Sequence, residues 1–272
     1  MLQHELTTAE FDLFRNFIYE HAGIDLGNDK KPLIVSRLSK RLRHYSLTSF
    51  QQYFELIQGS PPEGERQTAI DLLTTNETYF FREPKHFNFL QTQILSNWQT
   101  RKTFRVWSAA SSTGEEAYSI AMLLDDLLAD KPWQIFGSDI SRRVLKTAKQ
   151  GHFQLQRIEG IPRDYLTKYC LKGKDEQRGT MLVVKKLRER LEFAPINLTK
   201  PIPDIGKFEV IFLRNVLIYF DVKTKAQIIK QLVRKLQPEG YLFVGHSESL
   251  KEITNELASV APSVYQKNKA IS

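Results

Sequence analysis

The chain has 272 residues, of which 41% are hydrophobic and 26% charged with a formal net charge of +8, and these values exclude a disordered or fibrous protein. Its single cysteine, Cys170, excludes an internal disulfide and indicates a reducing compartment. No apolar run approaches the length of a membrane span and the N-terminus lacks a signal-peptide pattern, so we expect a cytoplasmic protein with no membrane insertion.

The first 75 residues are predicted to form a helical domain, because apolar residues recur there at helical spacing in four segments. The second segment also carries a basic stripe beside its apolar one, formed by Arg37, Lys40, Arg41 and His44. Residues 30–43 contain six basic residues and no acidic one. An outward basic face predicts an acidic partner (nucleic acid, a membrane surface or an acidic protein), and a merely solvated face is the alternative.

The motif NETYFFRE follows at residues 76–83 and leads into the next helix pattern at Pro84. Aromatic clusters usually pack in a core, so we expect Tyr79, Phe80 and Phe81 to be scaffold. Arg82 is then either a solvated residue or a functional residue that this scaffold holds in place.

From residue 101 onwards, short apolar strands alternate with amphipathic helices. This pattern predicts an α/β domain whose mostly parallel sheet is covered by helices. Residues 152–200 interrupt the alternation, and TMLVVKKLRERLEFAPIN at 180–197 is typical of a hairpin or antiparallel pair. We therefore expect a small inserted β-subdomain on the main sheet.

The turn after the first of these strands, VWSAASSTGEEAYS at 106–119, combines small residues with one glycine, Gly114. Small residues let the backbone approach a ligand at the start of a helix. Glu115 and Glu116 would repel a pyrophosphate there, but they would suit a ligand with an ammonium group. A capped helix after a tight turn, with no ligand, is the alternative.

Asp139 ends the second strand, and its carboxylate can accept both ribose hydroxyls of a nucleoside. The two turns together predict S-adenosylmethionine, a nucleoside with a cationic amino-acid tail and no phosphate; a helix-capping Asp139 is the alternative. The third strand ends at Arg214 and Asn215, with Tyr219 one turn later. The Asn/Asp-Pro-Pro-aromatic element of nucleic-acid base methyltransferases is missing there.

Six motifs in one order and spacing carry a resemblance to a known family: NETYFFRE, VWSAASSTGEEAYSIAMLL, FGSDIS, INL, FLRNVLIYFD and GYLFVGHSES. Over nearly its whole length the chain resembles the chemotaxis receptor glutamate O-methyltransferases (CheR). The resemblance implies an N-terminal helical domain (1–75), a linker and helix (76–100), and a Rossmann-like methyltransferase domain (101–272) with a small antiparallel β-subdomain within 152–196. It also implies methyl transfer from S-adenosylmethionine to the γ-carboxylate of glutamates on chemoreceptors.

The resemblance further implies ten cofactor-binding residues: Asn76, Thr78, Arg82, Glu115, Glu116, Asp139, Asn197, Leu198, Arg214 and Asn215. One or both of the two glutamates would face the methionyl end, Asp139 the ribose, and Asn197 with Leu198 the adenine. Arg82 and Tyr219 would lie nearest the transferred methyl.

This set agrees with the chemistry of a carboxylate acceptor. A glutamate side chain, with an ordinary pKa of about 4.3, is already an anion at neutral pH and needs no general base. It needs alignment with the sulfur–carbon bond in a dry site. Arg82 would hold one carboxylate oxygen and leave the other free, while Tyr219 would donate a hydrogen bond or wall the site.

The partners implied by the resemblance are glutamate-rich chemoreceptor helices at the basic stripe. Binding of a receptor C-terminal peptide at the charged loop 172–180 of the β-subdomain is a further alternative. We expect the protein to be a monomer. A methyltransferase-like scaffold without turnover is one alternative. An RNA methyltransferase using the +8 charge is another, disfavoured by the missing Pro-Pro element. A nicotinamide dehydrogenase is disfavoured by the single glycine and two glutamates at the phosphate position.

Overall fold

The N-terminal part of the chain is a group of four helices. The structure is a computed structural model that describes residues 5–128 and 131–269. The bounds of the four helices are α1 Thr8–Ala22, α2 Lys31–His44, α3 Phe50–Gln58 and α4 Glu65–Leu73, with a 3₁₀ turn at Asn28–Lys30. α1 begins with a capping box in which Thr7 and Glu10 bond each other's backbone, and it ends at Gly23 in the left-handed conformation. The ring of Phe14 packs on Phe50 and Tyr53 of α3, which closes the small core.

The basic stripe on α2 is only partly a free surface. Arg41 is bonded to the buried Glu65 of α4, with Nε to Oε1 at 2.8 Å, and Arg37 donates to the carbonyls of Leu72 and Thr74. The prediction of an outward stripe is therefore wrong at Arg37 and Arg41, because α4 packs on α2 and brings acceptors to their guanidinium groups. Lys40 and His44 are exposed.

Seven strands form the main sheet in the order β6-β2-β1-β7-β8-β10-β9. Their bounds are β1 Phe104–Ala109, β2 Trp133–Asp139, β6 Leu191–Pro195, β7 Phe208–Leu213, β8 Leu236–Val244, β9 Leu257–Ala261 and β10 Val264–Lys267. The first five in spatial order are parallel, and β10 runs antiparallel to both of its neighbours. The predicted α/β class with a mostly parallel sheet is confirmed.

The two faces of the sheet bury different groups of helices. Four further helices are α5 Pro84–Phe89 with a π-helical turn Leu90–Leu95, α6 Glu115–Leu128, α7 Arg142–Gln150 and α10 Val222–Lys235. On β7, Ile211 and Leu213 join the hydrophobic cluster that contains α1–α4 and α10. Val210 and Phe212 point to the other cluster, with α5 and α6. The N-terminal helices therefore share one hydrophobic cluster with α10 and one face of the sheet.

A second, three-stranded antiparallel sheet has the order β3-β5-β4, with β3 His152–Gln154, β4 Cys170–Lys172 and β5 Thr180–Val183. It confirms the predicted small antiparallel subdomain, which also holds a 3₁₀ turn, Leu155–Arg157, and helix α8, Arg163–Tyr169. The predicted hairpin over 180–197 is wrong. The short helix α9, Lys185–Arg188, follows β5, and β6 then pairs in parallel with β2 instead of returning to the small sheet.

None of the helices within 5–128 and 131–269 combines the length and the apolar character needed to cross a membrane.

Candidate active site

A cavity of about 910 Å³, counting the space open at its mouth, lies beyond the carboxyl ends of β1, β2, β6 and β7. Ligands of parallel α/β sheets bind at this edge, at the point where the order of the strands reverses. The segment between α4 and α5 and the end of α1 close the cavity from the side of the N-terminal helices. The site is therefore built from both halves of the chain.

The turn after β1 supplies one wall and is conformationally strained. Ala110 and Ser112 have φ values of +66° and +49°, which non-glycine residues rarely adopt. Gly114 has φ +97°, and a Cβ there would lie 3.0 Å from the Cβ of Ala148 on α7, so the turn needs glycine at this position. This backbone brings the amide of Ser112 to the carboxylate of Asp139.

Asp139, at the end of β2, is 5% exposed and borders the cavity. Its two carboxylate oxygens accept the backbone N–H groups of Ser112 and Ser141, each at 2.9 Å. Burial raises the pKa of this carboxyl to about 6, although those hydrogen bonds favour the charged form. Each oxygen keeps a second lone pair, so a pair of neighbouring hydroxyl groups can still donate to the carboxylate.

The segment from Thr74 to Arg82 forms the opposite wall. Phe80 is fully buried against Phe153, whereas Tyr79 is 48% exposed, so the expectation that all three aromatic residues are scaffold is wrong at Tyr79. The Arg82 guanidinium donates to the carbonyl of Glu77 at 3.0 Å and lies over the Tyr79 ring. It pairs with no carboxylate of the described residues, which leaves it able to bind an anion.

A buried charge cluster forms the floor. The side chain of Arg214 is 2% exposed and lies 2.9 Å from carboxylate oxygens of both Glu83 and Glu116. Asn215, at φ +55°, donates from Nδ2 to Glu83 at 3.1 Å. Burial would raise the pKa of Glu83, but Arg214 and the hydrogen bond from Asn215 lower it to about 2.

The two glutamates after Gly114 have different surroundings. Glu116 lines the cavity and is held from behind by the Ser108 hydroxyl at 2.7 Å. Glu115 is fully buried outside the cavity lining, where it contacts Thr113 and, at 2.6 Å, the Arg157 guanidinium. Burial raises the pKa of Glu115 against the effect of these two partners. Of this pair the structure brings only Glu116 to the cavity.

Of the eleven residues that the sequence predicts for the cofactor and the transferred methyl, ten line this one cavity, and Glu115 is the exception. Asn197 contributes through its position rather than a free amide, because its Nδ2 donates to the His21 carbonyl and its Oδ1 accepts from Thr199. Tyr219 is half-buried, and its backbone carbonyl accepts from Asp25.

Sequence reasoning missed Glu83 and Ser108, which contact the charged residues of the site. Glu83 stands beside Arg82 in the quoted motif and directly before a helix that starts with proline. An acidic residue in that position looks like an ordinary helix-start residue. Only its partners, more than 100 residues away, mark its role.

Comparison with known proteins agrees with this geometry. Residues 76–265 match the CheR methyltransferase, SAM binding domain, and residues 9–74 match the CheR methyltransferase, all-alpha domain. The chain is 39% identical to the chemotaxis protein methyltransferase of Escherichia coli (strain K12), covering 97% of this chain and 92% of that protein. It is 41% identical to chemotaxis protein methyltransferase 2 of Pseudomonas aeruginosa, covering 95% and 93% of the two chains.

Proposed function

The chain belongs to the CheR methyltransferase family and is an S-adenosylmethionine-dependent methyltransferase of chemotaxis, and on that premise we propose that its acceptor is the γ-carboxylate of chemoreceptor glutamates. The proposal rests on the ion pairing of the two arginines in the cavity, Arg82 and Arg214. Arg82 lies in the cofactor cavity and is free of any carboxylate among the described residues, whereas Arg214 is neutralised from two sides. An anionic acceptor therefore has one cation open to it.

We assign the cofactor to the cavity by matching chemical groups. Asp139 would accept the ribose hydroxyls, and Asn197 with Leu198 would border the adenine. Glu116 would face the cationic methionyl end, while Glu115 supports the turn from behind. Asn76, Thr78, Arg214 and Asn215 complete the lining.

The reaction needs positioning rather than acid–base chemistry. S-adenosylmethionine would supply a methyl group bonded to a cationic sulfur. An oxygen of the acceptor carboxylate would bond to that methyl carbon while the carbon–sulfur bond breaks and its electron pair stays on sulfur, which leaves the neutral thioether S-adenosylhomocysteine. The products are a methyl ester and a thioether, and no proton moves. Arg82 would hold the second oxygen in line through directional N–H groups, and Tyr219 would wall the site beside it.

Receptor docking is proposed on the exposed remainder of the α2 basic stripe, Lys40 and His44. Arg37 and Arg41 would support this surface without contacting the receptor, because their guanidinium groups already bind the Thr74 carbonyl and Glu65. A receptor C-terminal peptide could add to β4, which is an edge strand of the small sheet with Leu171 55% exposed.

We further propose the division into a helical domain (1–75), a linker (76–100) and a methyltransferase domain (101–272) with the small sheet inside 152–196. The grouping of α1–α4 and the separate three-stranded sheet support it. A monomer in the cytoplasm is the accompanying proposal: the single cysteine supports a reducing compartment, and membership of the family supports the monomer.

The test is methylation of a purified chemoreceptor cytoplasmic fragment with methyl-labelled S-adenosylmethionine. We expect base-labile label, as a methyl ester gives, on glutamates, and its loss when those glutamates are replaced by glutamine. An RNA substrate assayed in parallel should take up no label. Label on RNA, or base-stable label on the receptor fragment, would refute the glutamate assignment.

A further inference from the structure

The two arginines of the cavity differ in their surroundings, and Glu83 contributes to the difference. Glu83 follows Arg82 directly in the chain and binds Arg214 through Oε2, at 2.9 Å from Nη2 and 3.3 Å from Nε. With Glu116 on Nη1, the Arg214 guanidinium is enclosed by two carboxylates. No carboxylate of the described residues pairs with Arg82.

Glu83 also fastens the backbone that carries Arg82. Its other oxygen accepts from Asn215 Nδ2 at 3.1 Å and from the His246 N–H at 3.3 Å. Nη2 of Arg214 donates to the Arg82 carbonyl at 2.5 Å, so Arg214 ties both Arg82 and Glu83. Phe81 and Glu83 have φ values of +53° and +57° on either side of Arg82, and such strained backbone persists only where contacts enforce it.

We propose that Glu83 is a positioning residue for methyl transfer, which reserves Arg82 for the acceptor by neutralising Arg214 and fixing the Arg82 backbone. This inference rests on the proposed function. Without the Glu83 charge, Arg214 would keep a single carboxylate partner, Glu116, and would compete for the acceptor carboxylate. The acceptor would then bind away from the line of attack, and misalignment lowers the rate of the chemical step more than binding.

A metal ion is the other occupant to consider for this corner. Glu83, His86 and His246 place one ligand atom each within 4.8 Å of one another, and His86 is buried. The nearest Glu83 oxygen to His86 Nδ1, at 3.3 Å, is the one that already binds Arg214. A dication on that oxygen would face the guanidinium charge, so positioning explains the cluster better.

The experiment compares Glu83→Gln and Glu83→Asp with the wild type and with Glu10→Gln. Glu10 is a matched control because its carboxylate also accepts several hydrogen bonds, in the α1 capping box and from the Gln51 N–H, but none of these partners lines the cavity. Steady-state kinetics on the receptor fragment, calorimetric binding of S-adenosylhomocysteine and thermal unfolding are measured for each.

In Glu83→Gln we expect kcat to fall by about 10- to 100-fold, the loss that ångström-scale misplacement causes, with no rise in KM for the fragment and cofactor binding retained. Glu83→Asp restores the charge and should recover part of kcat. A wild-type kcat in Glu83→Gln, an equal loss in Glu83→Asp, or the same loss in Glu10→Gln would each overturn the assignment. Absence of wild-type turnover would instead refute the proposed function.

Discussion

Asp139 gives the sharpest test of the cofactor site, through the substitution Asp139→Asn. The two ribose hydroxyls would donate to a charged acceptor, and hydrogen bonds to charged groups contribute about 1.5–3 kcal/mol each. The amide replaces one acceptor oxygen with a donor, and its remaining oxygen makes only a neutral bond of about 0.5–1.5 kcal/mol, so the total loss is about 3 kcal/mol. At about 1.4 kcal/mol per factor of ten, the Kd for S-adenosylhomocysteine should rise by about 100-fold.

The same substitution should leave the fold about as stable at pH 7. The pKa of Asp139 in the folded protein, about 6, lies above its ordinary value of about 3.9, so its ionisation opposes folding. The stabilisation from the neutral Asp139 carboxyl is fully present below about pH 4 and is lost as pH rises through 6. The free energy of unfolding falls by about 3 kcal/mol over that range. Asparagine removes this cost but leaves one of the Ser112 and Ser141 amides without an acceptor, at about 1–3 kcal/mol.

The assay is calorimetric titration with S-adenosylhomocysteine between pH 5 and 8, beside thermal unfolding. Wild-type affinity should be constant above about pH 6 and weaken below it, because protonated Asp139 loses acceptor capacity. Asp139→Asn should bind weakly at every pH in that range. Unchanged affinity in the variant, or the same pH dependence in both proteins, would refute the reasoning.

Three further predictions concern other charges. Arg82→Lys keeps the cation but loses the planar pair of donors, so kcat on the receptor fragment should fall by about tenfold while cofactor binding is retained; an unchanged kcat would contradict it. Lys40→Glu should raise KM for the fragment by about 2–5-fold, as rim charges do, whereas the same reversal at the exposed Lys149 should not. Glu65→Gln removes the ion pair of the half-buried Arg41 and should lower the free energy of unfolding in urea by about 3 kcal/mol. A change near zero would show that the pair is dispensable.

Local sequence signals sufficed for much of the fold and for most of the site. Strand and helix patterns are set by side-chain periodicity within about ten residues, and turn residues such as Gly114 and Asp139 mark where strands end. Because parallel strands end at one edge, residues that follow β1, β2, β6 and β7 meet in one cavity even though they are distant in the chain.

What the sequence by itself determined, then, is the order of elements, the parallel sheet and the set of segments that reach its ligand-binding edge. Tertiary structure alone decided which charges are free. Arg37 and Arg41 look like a solvated stripe until the Leu72 and Thr74 carbonyls and Glu65 pack against them. Arg214 differs from Arg82 because Glu83 and Glu116 both pair with it. The tertiary structure also decided that β6 pairs with β2 in the main sheet. The spacing of apolar residues predicts a strand but not its neighbour, because strand pairing, like ion pairing, depends on residues elsewhere in the chain.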